Sequence, residues 1–171
     1  MTQRNFNSDR DTRLRFVEIT AESVALLQEA WVVIEKALPV VLDGFYRHVS
    51  SEPQLAQRIG DQAPRLKRAQ ESHWSRLFRG RFDDEYIQGV RAIGLVHNKI
   101  GLEPRWYIGG YSFVLGRLMA LLQEKYRWSP AKAAKMCSAV IAAVKRRELS
   151  TARWRSFLAL RDELAKALEV Y

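Results

Sequence analysis

Apolar residues recur at intervals of three and four along most of this chain, and the strict alternation that marks a half-buried strand is almost absent, so the pattern predicts helices throughout. A first long helix begins near Thr20 with Val24, Leu27, Trp31 and Ile34 on one face. Pro39 is expected to break or bend it, with Val41 to Ser50 continuing as a second helix in which Leu42, Phe45, Tyr46 and Val49 share a face. Ser51 and Pro53 mark a turn. Pro64 suits a first helical position, because the N–H it lacks would be unpaired there, and the helix it opens runs to about Phe78 with Leu66, Ala69, His73 and Leu77 as a stripe. Gly80 ends that helix.

The next helix takes negative charge at its start from Asp83-Asp84-Glu85, carries His97 near its end and is stopped by Gly101. Pro104 opens a long helix whose apolar positions are Tyr107, Tyr111, Val114, Leu115, Leu118 and Leu122, and Gly109-Gly110 remove side chains where another helix or a ligand can approach closely. Ser129 and Pro130 serve as cap and first residue of a final helix through Met136, Cys137, Val140, Ile141 and Val144. The ends differ from this body. Residues 1–12 carry no clear pattern, Leu14, Phe16 and Val17 suggest a short extra helix over 13–19, and Lys145-Arg146-Arg147-Glu148 precede a further amphipathic pattern at Trp154, Phe157, Leu160, Leu164 and Leu168. The expected division is an extension over 1–19, one all-α domain over 20–150 and a C-terminal amphipathic helix over 151–171.

Length and composition narrow the picture. A chain of 171 residues, 47% hydrophobic and 27% charged, is long enough to bury a core as one domain and too apolar to be disordered. Charges interrupt every apolar run well before the roughly 18 residues that span a bilayer, and the polar start through Asp11 lacks the apolar segment of a signal peptide, so the cytoplasm is the expected compartment and no membrane partner is expected. The net charge of +9 raises nucleic acid as a partner, but the cations are scattered and only Lys145-Arg146-Arg147 form a tight group. A solvated basic surface is the better reading. Gly-rich phosphate loops, H-E-x-x-H and G-x-S-x-G are all absent, so catalysis by side chains alone is not expected.

Two residues stand out chemically. Counting back from His97, Ile93, Val90 and Tyr86 lie on the same helical face, with Ile100 one turn ahead, so the imidazole projects into an apolar space where a flat apolar cofactor fits. A lone histidine on such a face is more often a core residue bonded to a carbonyl. The hydroxyl of Tyr46 is expected to be buried on its apolar face, and a buried phenol needs a hydrogen-bond partner. His73 is the nearest rival to His97 as a metal ligand, although helix packing explains it as well, and His48 falls on the less apolar side of its helix.

The segment His97-Asn98-Lys99-Ile100-Gly101-Leu102-Glu103-Pro104-Arg105-Trp106-Tyr107-Ile108-Gly109-Gly110-Tyr111 resembles the sensor-globin domain of bacterial globin-coupled sensors. Phe45-Tyr46 upstream, and Leu66-Lys67, His73 and Phe78-Arg79-Gly80-Arg81-Phe82 in between, extend the resemblance over roughly residues 20–144. It implies a globin-like fold and His97 as the proximal ligand of a haem iron. With one cysteine and no Cys-x-x-Cys-His, that haem is held non-covalently, as haem b. The matching tyrosine of sensor globins is the distal hydrogen-bond donor, so Tyr46 is expected to bond haem-bound oxygen, favouring it over carbon monoxide by about three- to tenfold. Leu66 and Ala69 fall above the distal face. Phe45, Val90, Ile93, Tyr107 and Tyr111 are the other expected haem contacts, with Phe78, Phe82, Tyr86 and Val96 as further wall residues. Some cations are expected to meet the haem propionates.

The function so implied is a gas-sensing domain that binds O2, and also CO and NO, at a haem with an open sixth position, and passes helix rearrangement to a C-terminal output domain. In relatives that output is a diguanylate cyclase, a histidine kinase or a chemotaxis domain, and none is present in these residues. The chain resembles an excised sensor domain, with a diguanylate cyclase as the expected output and a homodimer through the last two globin helices. The basic stretch after Val144 departs from the mostly apolar continuation in relatives. A single-domain globin handling O2 or NO, including a nitric oxide dioxygenase with a reductase partner, and a cofactor-free basic nucleic-acid-binding regulator are the alternatives.

Overall fold

The computed structural model describes residues 18–148, with Thr12 and Arg15 ahead of them, and among these every regular element is a helix. Six α-helices follow one another: α1 Ala21–Ser50, α2 Pro53–Ile59, α3 Ala63–Phe78, α4 Asp84–Lys99, α5 Pro104–Lys125 and α6 Pro130–Glu148, with a 3₁₀ turn Gly60–Gln62 between α2 and α3. The start of α1 is fixed by a capping box: the Thr20 hydroxyl accepts from the Ser23 N–H, and the Ser23 hydroxyl accepts from the Thr20 N–H. The short helix expected over 13–19 falls mostly outside the described residues, as do the final amphipathic pattern from Trp154 to Leu168 and the side chains of the basic cluster before it.

Two expectations are corrected. Pro39 does not divide the first helix, which runs unbroken for 30 residues. Leu27, Ala30, Ile34, Leu38, Leu42 and Tyr46 form one buried stripe that continues straight through the proline. Each large member contributes about 1.5–3 kcal/mol by leaving water, and together they outweigh the roughly 3 kcal/mol that an internal proline costs. Pro53, read as part of a turn, is instead the first residue of α2, where a proline loses no helical hydrogen bond.

The stripe of α1 makes it the central element, packed against α2, α3, α5 and α6. Trp31 of α1 stacks on Phe78 of α3 with centroids 5.4 Å apart, and Trp74, Phe78, Leu118, Leu122, Met136 and Val140 complete the fully buried centre. Around the rim, Asp43 pairs with Lys67, Glu22 with Lys135 and Glu29 with Lys132, so three of the scattered cations belong to helix–helix ion pairs. Between α3 and α4 the chain reverses at Gly80, whose φ of +67° and close approach to Val24, 2.7 Å from where a β-carbon would stand, both require glycine. Asp83 then caps α4, accepting from the Tyr86 N–H at 2.9 Å.

Candidate functional site

Helix α4 is anchored by only its first half. Tyr86 and Val90 are 6% exposed and belong to the core, with Tyr86 set edge-on against Phe82. One turn later the helix borders open space. There Ala92, Ile93, Val96 and His97 form one wall of a cavity of about 430 Å³, a volume within the range of small-molecule and cofactor sites. Ile100 and Leu102 continue that wall, α5 adds Trp106, Tyr107, Gly110, Tyr111 and Val114, and α1 adds Phe45, Tyr46 and Val49. Helix α3 contributes Arg65, Leu66, Ala69, Gln70, His73 and Trp74, and α2 contributes Leu55, Arg58 and Ile59.

The lining is mostly apolar, and part of it faces water. Val96 is 56% exposed and Ile100 45% exposed. Aliphatic side chains left open along a concave wall are what a flat apolar ligand would cover. His97 is half-buried, and its ring lies parallel to that of Tyr107, with centroids 6.2 Å apart. The Leu102 N–H bonds back to the His97 carbonyl at 2.9 Å and Gly101 takes φ +61°, so the chain turns sharply just beyond the imidazole.

Tyr46 is buried in the part of the lining that α1 contributes. Its phenol packs edge-on to Phe45 and bonds the Gln70 side chain, and burial pushes its pKa up to about 12 against the weaker opposing effect of that bond. A neutral hydroxyl is therefore held in the cavity wall across the whole physiological range. Gln70 in turn accepts from the Trp74 indole N–H at 3.2 Å. Gly110 lets α5 close on α1: a β-carbon there would stand 3.0 Å from the Phe45 ring. Gly109, expected to serve the same purpose, has open space around it.

Of the nine expected cofactor contacts, the cavity gathers eight: His97, Tyr46, Leu66, Ala69, Phe45, Ile93, Tyr107 and Tyr111. Val90 is not among them, because it lies one turn too early on α4 and is spent on the core. The wider wall set divides in the same way. Val96 lines the cavity, whereas Phe78, Phe82 and Tyr86 are core. His73 lies on the lining but is 7% exposed and stacked on Tyr86 at 6.3 Å and edge-on to Trp74, in keeping with a packing role. His48 is exposed and stacks on Phe113.

Sequence reasoning missed Leu55, Arg58 and Ile59, since Pro53 hid the helix that carries them. It also missed Gln70, although Leu66, Gln70 and Trp74 recur every fourth residue and so share a face. Arg58 and Arg65 bring positive charge to a mostly apolar cavity, and the Arg58 guanidinium donates to the Ile100 carbonyl, joining α2 to the end of α4. The residues present fit a haem: an apolar slot, an imidazole and a phenol from separate helices, and two guanidinium groups suited to carboxylates.

The fold is that of a globin. It superposes on the globin domain of a globin-coupled sensor from Geobacter sulfurreducens with a TM-score of 0.77, at 20% identity, covering 85% of this chain and 97% of that one. The Protoglobin family model matches residues 6–145, and the chain belongs to that family, whose membership implies haem binding. It is also 28% identical over 116 residues to the heme-based aerotactic transducer HemAT of Halobacterium salinarum, a match that spans 66% of this chain and 24% of the transducer's length. Among the described residues no helix is long and apolar enough to cross a membrane.

Proposed function

We propose that this chain is a haem-based gas-sensing globin domain. The observation that carries the reading is the apolar cavity into which α4 brings His97 and α1 brings Tyr46. When bound, haem b supplies an iron with an open coordination position for O2, CO or NO. His97 would hold the iron as its proximal nitrogen ligand, with its ring plane set by Tyr107. Leu66, Ala69, Ile93, Val96 and Ile100 would hold the cofactor by apolar contact, and Arg58 and Arg65 would offer partners to its propionates. Tyr46, neutral and buried, donates a hydrogen bond to a diatomic ligand held in the cavity.

Sensing requires that the gas bind two helix arrangements with different affinity. The link from Arg58 to the Ile100 carbonyl is one place where such a difference can enter, because it ties α2 to the end of the helix that bears His97. The output is a further domain. The transducer relative is about four times longer than the stretch matched here, which supports a linked output, and a diguanylate cyclase driven through a homodimer of the last two globin helices remains our reading of it. The helix–helix ion pairs of Lys67, Lys132 and Lys135 favour a solvated basic surface over a nucleic-acid groove. The test is the oxygen dissociation rate of the haem-loaded protein: Tyr46→Phe raises it severalfold, and an unchanged rate removes Tyr46 from the mechanism.

A further inference from the structure

Three side chains at the back of the cavity form a chain with a defined direction. The indole N–H of Trp74 can only donate, so the atom of Gln70 that it meets at 3.2 Å is the amide oxygen. That assignment leaves both N–H groups of the amide free to donate, so the NH2 can give the Tyr46 oxygen a hydrogen bond, while the amide oxygen keeps one further lone pair. The bond between Gln70 and Tyr46 favours the charged form of the phenol, as a bond accepted by the phenolic oxygen does. Trp74 is fully buried, with its ring tilted against Phe78 and Tyr111, so the donor that orients the amide is itself fixed by packing.

We infer that Gln70 is a positioning residue for ligand discrimination: held by Trp74, its amide donates to the Tyr46 oxygen and leaves the phenolic proton to point into the cavity. The inference rests on the reading of the cavity as a haem gas site. An amide in the opposite orientation would offer Tyr46 an acceptor, draw its proton toward α3 and leave the ligand facing a lone pair. The Trp74 contact favours the first by holding the amide oxygen toward the indole. The relay thus runs from indole to amide to phenol to bound gas, each group donating forward, and such aligned chains strengthen their terminal donor.

Gln70→Glu tests the direction, because an ionised carboxylate accepts from both neighbours and reverses the last bond. At mildly alkaline pH, where that carboxyl is ionised, Gln70→Glu is expected to raise the oxygen dissociation rate by about two- to tenfold, the range one hydrogen bond supplies. It should match Tyr46→Phe, and the double variant should add nothing further. Gln70→Leu, which removes the orienting group without reversing it, is expected to fall between. A wild-type rate in Gln70→Glu overturns the inference, as does an additive double variant. A second readout needs no haem. In the haem-free protein, Tyr46→Phe should shift the proton resonances of the Gln70 side-chain amide, which lose their acceptor, and leave the Trp74 indole N–H resonance in place. Unshifted amide protons overturn the inference even if haem binds, whereas a protein that takes up no haem defeats the proposed function and leaves the direction of the relay decided by these resonances.

Discussion

The imidazole of His97 and the phenol of Tyr107 lie in planes only 7° apart, with centroids separated by 6.2 Å, an offset stack between the end of α4 and the start of α5. The four residues Ile100–Glu103 that join those helices turn at Gly101, so the stack closes a short loop and sets the plane of the imidazole. Tyr107→Leu keeps the apolar volume and removes the ring. Haem retention, measured by transfer to excess apomyoglobin, is expected to weaken by about three- to tenfold, the range that a ring pair of about 0.5–1.5 kcal/mol supplies.

Burial of Tyr46 makes stability depend on alkaline pH. Its pKa rises from 10.0 to about 12 in the folded chain, so the folded state binds more protons than the unfolded one between those values. The contribution is fully present below pH 10 and is lost as pH climbs toward about 12. In the haem-free protein, the difference in denaturation midpoint between wild type and Tyr46→Phe is therefore expected to shift steadily against wild type across that window and to be constant below it.

Arg58 and Arg65 are exposed residues that line the cavity; Arg58 donates to the Ile100 carbonyl and Arg65 to the Gln62 side chain, and if the site holds haem both can also meet its propionates. Exposed ion pairs contribute about 0.2–1 kcal/mol. Arg65→Ala is accordingly expected to weaken haem affinity by about two- to fivefold while leaving affinity for haem dimethyl ester unchanged. Equal losses for both ligands would assign the residue to packing.

Two glycines should respond oppositely to alanine. Gly109 lies within α5 with open space where a β-carbon would stand, so Gly109→Ala is expected to raise stability by about 0.4–1 kcal/mol through the unfolded chain's lost freedom. Gly80→Ala meets Val24 at 2.7 Å in a left-handed backbone and is expected to destabilise by more than that gain. Denaturant titrations of the two variants measure both signs.

How much of this could be read from the chain alone depended on what each residue spends its side chain on. Helices α3 to α6 were legible because their starts carry Pro64, Asp83, Pro104 and Pro130, and their apolar faces repeat without interruption. Pro39 misled because a local rule was outweighed by a tertiary stripe that ran on both sides of it. His97 and Tyr46 stood out as polar groups on apolar faces, and the cavity brings both together. Val90 has the same periodicity as Ile93, and only the packing of α4 separates the turn that meets the core from the turn that meets the cavity. Gln70 escaped notice because its role lies in two hydrogen bonds to side chains, one on its own helix and one on α1, and apolar spacing says nothing of such partners.

The claim that His97 holds a haem iron is tested most directly by one absorption spectrum. Protein produced with ample haem, reduced and exposed to carbon monoxide, is expected to show the sharp Soret band of a ligated haem at one haem per chain, and His97→Ala is expected to lose it. A colourless wild-type protein, or a His97→Ala variant with the wild-type spectrum, would contradict the account.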